Sequence, residues 1–173
     1  MDEMSTVLWQ HQNLRRVTSA TRAEQFAIWS LRLWWRAFPE LQCAWPELLH
    51  GFRVCHVPTA VESCHRFCST VLVIAGCGSG VACLHFPRIA ATEEQLLTTL
   101  AAGASGDQQR VERVLRTFVP ANVAVVAAPH ALQYSQILAS AGMEWPQPGR
   151  IPAVTGVASD MVANAQRAEL RLH

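Results

Sequence analysis

The chain has no lysine. All 14 of its basic residues are arginine, which excludes a Schiff-base lysine, a phosphate-loop lysine and a lysine general base. Arginine codons are GC-rich and lysine codons AT-rich, so the bias points to a high-GC, bacterial genome. Charge of either sign is scarce. Only 16% of residues carry it, against roughly 25% in an average soluble protein. A net charge of +1 leaves no global field to draw in polyanions, and neither a nucleic-acid partner nor an anionic membrane is expected on that ground. The six cysteines include no C-x2-C pair, and no secretory leader is visible. These cysteines lie inside apolar segments, where free thiols commonly serve as small hydrophobes; a reducing, cytoplasmic setting is expected.

What is present is apolar. Half of the 173 residues are hydrophobic, enough for one domain with a sizeable core. Residues 21–38 read as a helix from cap to stop: Thr21 and Glu24 have capping-box spacing, and Pro39 opposes continuation. At helical spacing Gln25, Arg32 and Arg36 share one narrow polar stripe flanked by Trp29. Phe26, Leu31, Leu33, Trp34 and their neighbours cover most of the rest. A helix this apolar around its circumference belongs in a core or against a partner.

Other helices follow the same logic. Pro46 at a first helical position opens a short one through Leu48, Leu49 and Phe52, with its length left open by Gly51. Ala60, Val61, Cys64, Phe67, Cys68, Val71 and Leu72 recur at three- and four-residue spacing up to Gly76. Residues 81–89 suit an extended connection or one strand equally. Thr92 and Gln95 have the spacing of a second capping box, opening a helix to about Ala102. Asp107 caps a further helix that Pro120 stops, with Arg110, Arg113 and Arg116 on its solvent face. Residues 121–141 are helical, interrupted or entered afresh at Pro129, with Gly142 as the C-terminal cap. The expected fold is all-α: a single compact bundle of about five or six helices over residues 20–145. Loosely held tails flank it at 1–19 and 146–173, the second with room for a short amphipathic helix over 159–172.

Three motifs invite chemistry. The run from Val71 through Gly76-Cys77-Gly78-Ser79-Gly80 resembles the glycine-rich first motif of S-adenosylmethionine-dependent methyltransferases. That resemblance covers about ten residues and implies a strand, a tight turn and a cofactor-binding enzyme. The sequence departs from the pattern at Ile74, where an acid is usual, and at His85-Phe86-Pro87, where a helix should continue. A glycine-rich hinge between helices is the simpler reading. Second, residues 67–86 are twenty positions without a formal charge, long enough to cross a bilayer. The amphipathic pattern begun at Ala60 continues into them, which lipid would not require. Third, Cys64 and Cys68 stand one helical turn apart, and Cys83 and His85 alternate on a connecting piece. Together they would supply four N/S ligands, with zinc as the metal.

Nucleophilic catalysis finds no set of residues. Cys64 and His65 are adjacent on a helix and point apart. Glu93 and Glu94 sit in a first helical turn, where solvated acids favour the macrodipole. With no catalytic residues assembled, the expected function is non-catalytic. The chain reads as a small interaction or regulatory protein using a protein partner or self-association through its tryptophan-bearing helix. Three alternatives stand beside it: a metal- or redox-responsive domain using Cys64, Cys68, Cys83 and His85; a membrane-associated protein inserting through residues 67–86; and an S-adenosylmethionine-binding enzyme.

Overall fold

In the computed structural model, which describes residues 14–38 and 45–146, the chain forms six α-helices. They are α1 (Arg22–Ala37), α2 (Trp45–Val54), α3 (Ala60–Cys68), α4 (Ala91–Ala104), α5 (Gln108–Leu115) and α6 (Ala121–Ser140). Among the described residues there is no strand, only an isolated antiparallel bridge between Arg16 and Arg88. The connection over residues 81–90 is therefore irregular. Both tails expected at the ends fall largely outside the described residues, including the helix suggested over 159–172.

The start of α1 is set locally. Thr21 is extended, its hydroxyl accepts the Glu24 N–H at 3.3 Å, and the Glu24 carboxylate accepts the Thr21 N–H at 2.8 Å. Both halves of the capping box are made. As the apolar pattern requires, Ala23, Ala27, Ile28, Leu31, Leu33 and Trp34 are buried. The polar stripe, however, splits. Gln25 and Arg36 are exposed, whereas Arg32 is buried. Spacing placed Arg32 in the polar stripe with the other two; a partner on another helix takes it inside.

Helix α2 runs straight through Gly51 because the ring of Trp29 lies on that residue: a Cβ there would overlap the indole. It ends in a Schellman arrangement, with Val57 N–H bonded to Phe52 O at 2.8 Å and His56 N–H to Arg53 O at 3.0 Å. The left-handed position, usually glycine, is filled by His56 at φ 60°. The same device closes α6, where Gly142 (φ 77°) takes that position and Met143 N–H reaches Leu138 O at 3.1 Å. Gly142 is thus the cap its sequence position suggests.

Helix α3 continues into a π-helical turn, Ser69–Ile74, before Gly76 turns the chain at φ 72°. Two features favour the wider turn. The hydroxyls of Ser69 and Thr70 bond the carbonyls of His65 and Arg66 at 2.9 and 2.8 Å, and the following run is rich in β-branched residues, which crowd a regular helix.

Helix α6 is the hub, packing on α3, α4 and α5. Its inward stripe, Ala124, Ala127, Ala128, Ala131, Ser135 and Leu138, is fully buried and mostly small, so neighbours approach closely. Gly103 of α4 uses that space: a Cβ would stand 3.1 Å from the Ala131 carbonyl and 2.9 Å from the Ser135 hydroxyl. Helix α4 therefore runs through Gly103 rather than ending near Ala102. Pro129 does not interrupt α6 either. It lies on the exposed side, where the carbonyl it leaves without a helical donor can meet water.

The segment ahead of α1 is fastened to the connector through backbone hydrogen bonds. Val17 N–H bonds Pro87 O at 3.0 Å and Ile89 N–H bonds Arg15 O at 2.8 Å. The Arg15 side chain bridges Glu24 of α1 and Glu94 of α4, at 2.7 and 2.8 Å.

Candidate functional site

The cysteine and histidine candidates separate into two places. Cys64 and Cys68, one turn apart on α3, are both fully buried with their Sγ atoms 4.0 Å apart. Against them from α6 lies Tyr134, whose hydroxyl is hydrogen-bonded to Ser30 Oγ at 2.9 Å, while Ser30 Oγ also bonds the Ala27 carbonyl at 2.8 Å. Burial pushes the Cys68 thiol well above its ordinary range, with Cys64 adding to the shift. Tyr134 is raised in the same way by burial and then by Cys64. Cys83 and His85 are exposed on the connector. Among the described residues no three His, Cys, Asp or Glu side chains are grouped so as to hold a metal. The structure thus brings together two of the four candidate ligands, Cys64 and Cys68. It leaves Cys83 and His85 apart.

The glycine-rich junction has a packing explanation. Residues 71–74 are helical rather than a strand, so the turn is not the strand-to-cofactor turn that the methyltransferase resemblance implies. Gly76 supplies a left-handed turn. A Cβ on Gly78 would overlap the ring of Trp35, and one on Gly80 would overlap the side chain of Thr92. Each glycine seats a neighbouring side chain or turns the chain. Phe67, Cys68, Val71 and Leu72, from the stretch considered as a membrane span, are buried within the bundle. No helix among the described residues is long and apolar enough to cross a membrane.

The strongest polar feature is one that spacing did not disclose. Arg32 Nε and Nη2 donate to the two carboxylate oxygens of Glu93 at 2.7 and 2.8 Å. Arg32 also donates to the carbonyls of Phe86 and Arg88, both at 2.6 Å. The Glu93 oxygens further accept the N–H groups of Ala82 at 3.1 Å and Ala90 at 2.8 Å. Glu93 is therefore not the solvated first-turn acid suggested by sequence; its side chain is 0% exposed. Helix α4 begins at Ala91, ahead of the Thr92 box, because Glu93 reaches back to Ala90. Alanine has no side-chain acceptor, so only that half of a capping box exists. The pair clamps the connector between α1 and α4.

The connector and α1 enclose an open groove of about 330 Å³, lined by Arg32, Trp35, Arg36 and the 81–84 segment. Beyond it, at the C-terminal end of α1, aromatic rings reach the surface. Phe38, 45% exposed, stacks on both Trp34 and Trp35 with centroids 5.6 and 5.8 Å apart. Trp34 Nε1–H donates to His65 Nδ1 at 2.9 Å, which places the imidazole proton on Nε2. Trp45, 38% exposed, meets the same imidazole edge-on at 5.6 Å. The sequence signal for this surface was the tryptophan content of α1; nothing in the spacing showed that α2 and α3 would add Trp45 and His65.

No protein-family model matches the chain, no curated protein matches it in sequence, and no solved structure matches it.

Proposed function

We propose that the chain is a non-catalytic interaction protein that meets its partner through the aromatic surface presented by Phe38 and Trp45, with half-buried Trp35 beside Phe38 and buried Trp34 beneath it. The observation that carries this reading is the exposure of Phe38 and Trp45, two large aromatic side chains in one ring cluster. Aromatic rings of this kind supply much of the binding energy at protein interfaces, because they bury large area while ordering few torsions. The Nε2–H of His65 adds a polar donor beside them. Self-association and a different protein partner are both accommodated.

A photo-crosslinking residue placed at Phe38 or Trp45, with exposed Gln133 on α6 as control, tests the surface in the native cell. The expected result is one discrete adduct from positions 38 and 45 and none from 133. Light scattering would identify self-association by mass. A monomer at every concentration, together with no adduct from either aromatic position, overturns the reading.

A further inference from the structure

We infer that the groove between α1 and the 81–84 connector is a binding site for a small organic carboxylate carrying an apolar ring. Its walls are Trp35, Val81 and Leu84, and its volume of about 330 Å³ is at the lower end of the range for small-molecule sites. Charge decides the class of ligand. Among the described residues no acidic side chain lines the groove. Arg32 in its wall is neutralised by Glu93, whereas Arg36 is exposed and has neither an ion pair nor a hydrogen bond among the described residues. Among the described residues the lining therefore carries one guanidinium without a counter-charge, whose fork of donors matches a carboxylate. Arg32 has committed four of its five N–H donors, leaving one Nη1 hydrogen without an acceptor among the described residues.

The walls are also held before any ligand arrives. Trp35 rests on Gly78, and the connector is clamped at Ala82, Phe86, Arg88 and Ala90 by the Arg32–Glu93 pair. Little ordering remains to oppose binding. Polar recognition comes from the cation and apolar burial from the indole and aliphatic walls.

The test uses naphthalene-2-carboxylate and its neutral isostere naphthalene-2-carboxamide as probes, followed by amide NMR shifts. The carboxylate is expected to move the 81–84 amides and the Trp35 indole N–H, with the carboxamide binding about fivefold more weakly. Arg36→Gln should remove that preference, whereas Arg113→Gln, at an exposed position of α5, should keep it. The proposal fails if the two probes bind equally, if the shifts fall elsewhere, or if Arg36→Gln leaves the preference intact. Crosslinking at Phe38 and Trp45 is read separately, so failure here and failure of the partner surface are distinguishable.

Discussion

Arg32 and Glu93, 61 residues apart in sequence, form a two-pronged ion pair whose side chains are 2% and 0% exposed. Removing one member strands the other charge in the interior. Glu93→Gln or Arg32→Met should each cost about 3–5 kcal/mol in urea unfolding. Many buried pairs can be replaced together by apolar residues at little cost. This one also satisfies two carbonyls and two N–H groups of the connector, so Arg32→Met with Glu93→Leu should stay destabilised. A double variant as stable as the parent would show that the clamp is dispensable.

Gly78 and Gly76 stand two residues apart and should respond differently to alanine. Gly78→Ala overlaps the Trp35 ring and should cost about 1–3 kcal/mol, much of it recovered when Trp35→Ala is added. Gly76→Ala meets nothing within 4 Å; its cost of about 1 kcal/mol comes from the left-handed backbone, and Trp35→Ala should recover none of it. A double-mutant cycle measured by thermal unfolding separates the two. Equal coupling to Trp35 at both positions would contradict the seating geometry.

His56 occupies a left-handed helix-end position that glycine fills in α6. His56→Gly should therefore stabilise the protein by about 0.5–1 kcal/mol, seen as a higher urea midpoint. A loss of stability would mean that the imidazole makes an interaction of greater worth.

Glu24 governs part of the acid response. Burial opposes its ionisation, but hydrogen bonds from Arg15 and the Thr21 N–H, with the Arg15 charge, outweigh it and hold its pKa below the ordinary carboxylate value of 4.5. The unfolded chain thus binds the proton more readily. Stability from Glu24 is present above the unfolded pKa and is lost as pH falls through the folded one. Glu24→Gln should lower stability at neutral pH and flatten its decline on acidification. An unchanged slope between pH 5 and 3, roughly the carboxylate range, would refute this.

Thiol accessibility should follow position rather than count. Cys83 is exposed, whereas Cys64 and Cys68 are fully buried. Peptide mass mapping after brief alkylation should find Cys83 modified in the native protein and the α3 pair modified only after unfolding. Native labelling of Cys64 or Cys68 at the Cys83 rate would require an opening of α3 from α6.

Features governed by neighbours in sequence were legible in advance. Thr21 with Glu24, Asp107 with the Arg110 N–H, and Gly142 after α6 are each decided within a few residues, and each stands where spacing put it. The all-α architecture followed from the same periodicity. Gly51 left the length of α2 open, Gly103 stood just past the expected end of α4, and Pro129 stood at an interruption or fresh start in α6. The local cost of each is real, but each is offset by surroundings. Trp29 fills the space at Gly51, α6 approaches Gly103, and solvent meets Pro129. The buried ion pair was not legible, because hydropathy places an arginine outside unless its partner is known. At the thiols, one-turn spacing put Cys64 and Cys68 on one face, and their Sγ atoms lie 4.0 Å apart. Nothing in the spacing set the distance from them to Cys83 and His85.

The seating of Trp35 on Gly78 and of Trp29 on Gly51 ties the evolutionary freedom of distant positions together. A bulkier residue at 78 becomes acceptable only after the indole at 35 has shrunk, and the same order applies to 51 and 29. Divergent descendants of this chain should therefore change these positions in pairs, the tryptophan yielding first.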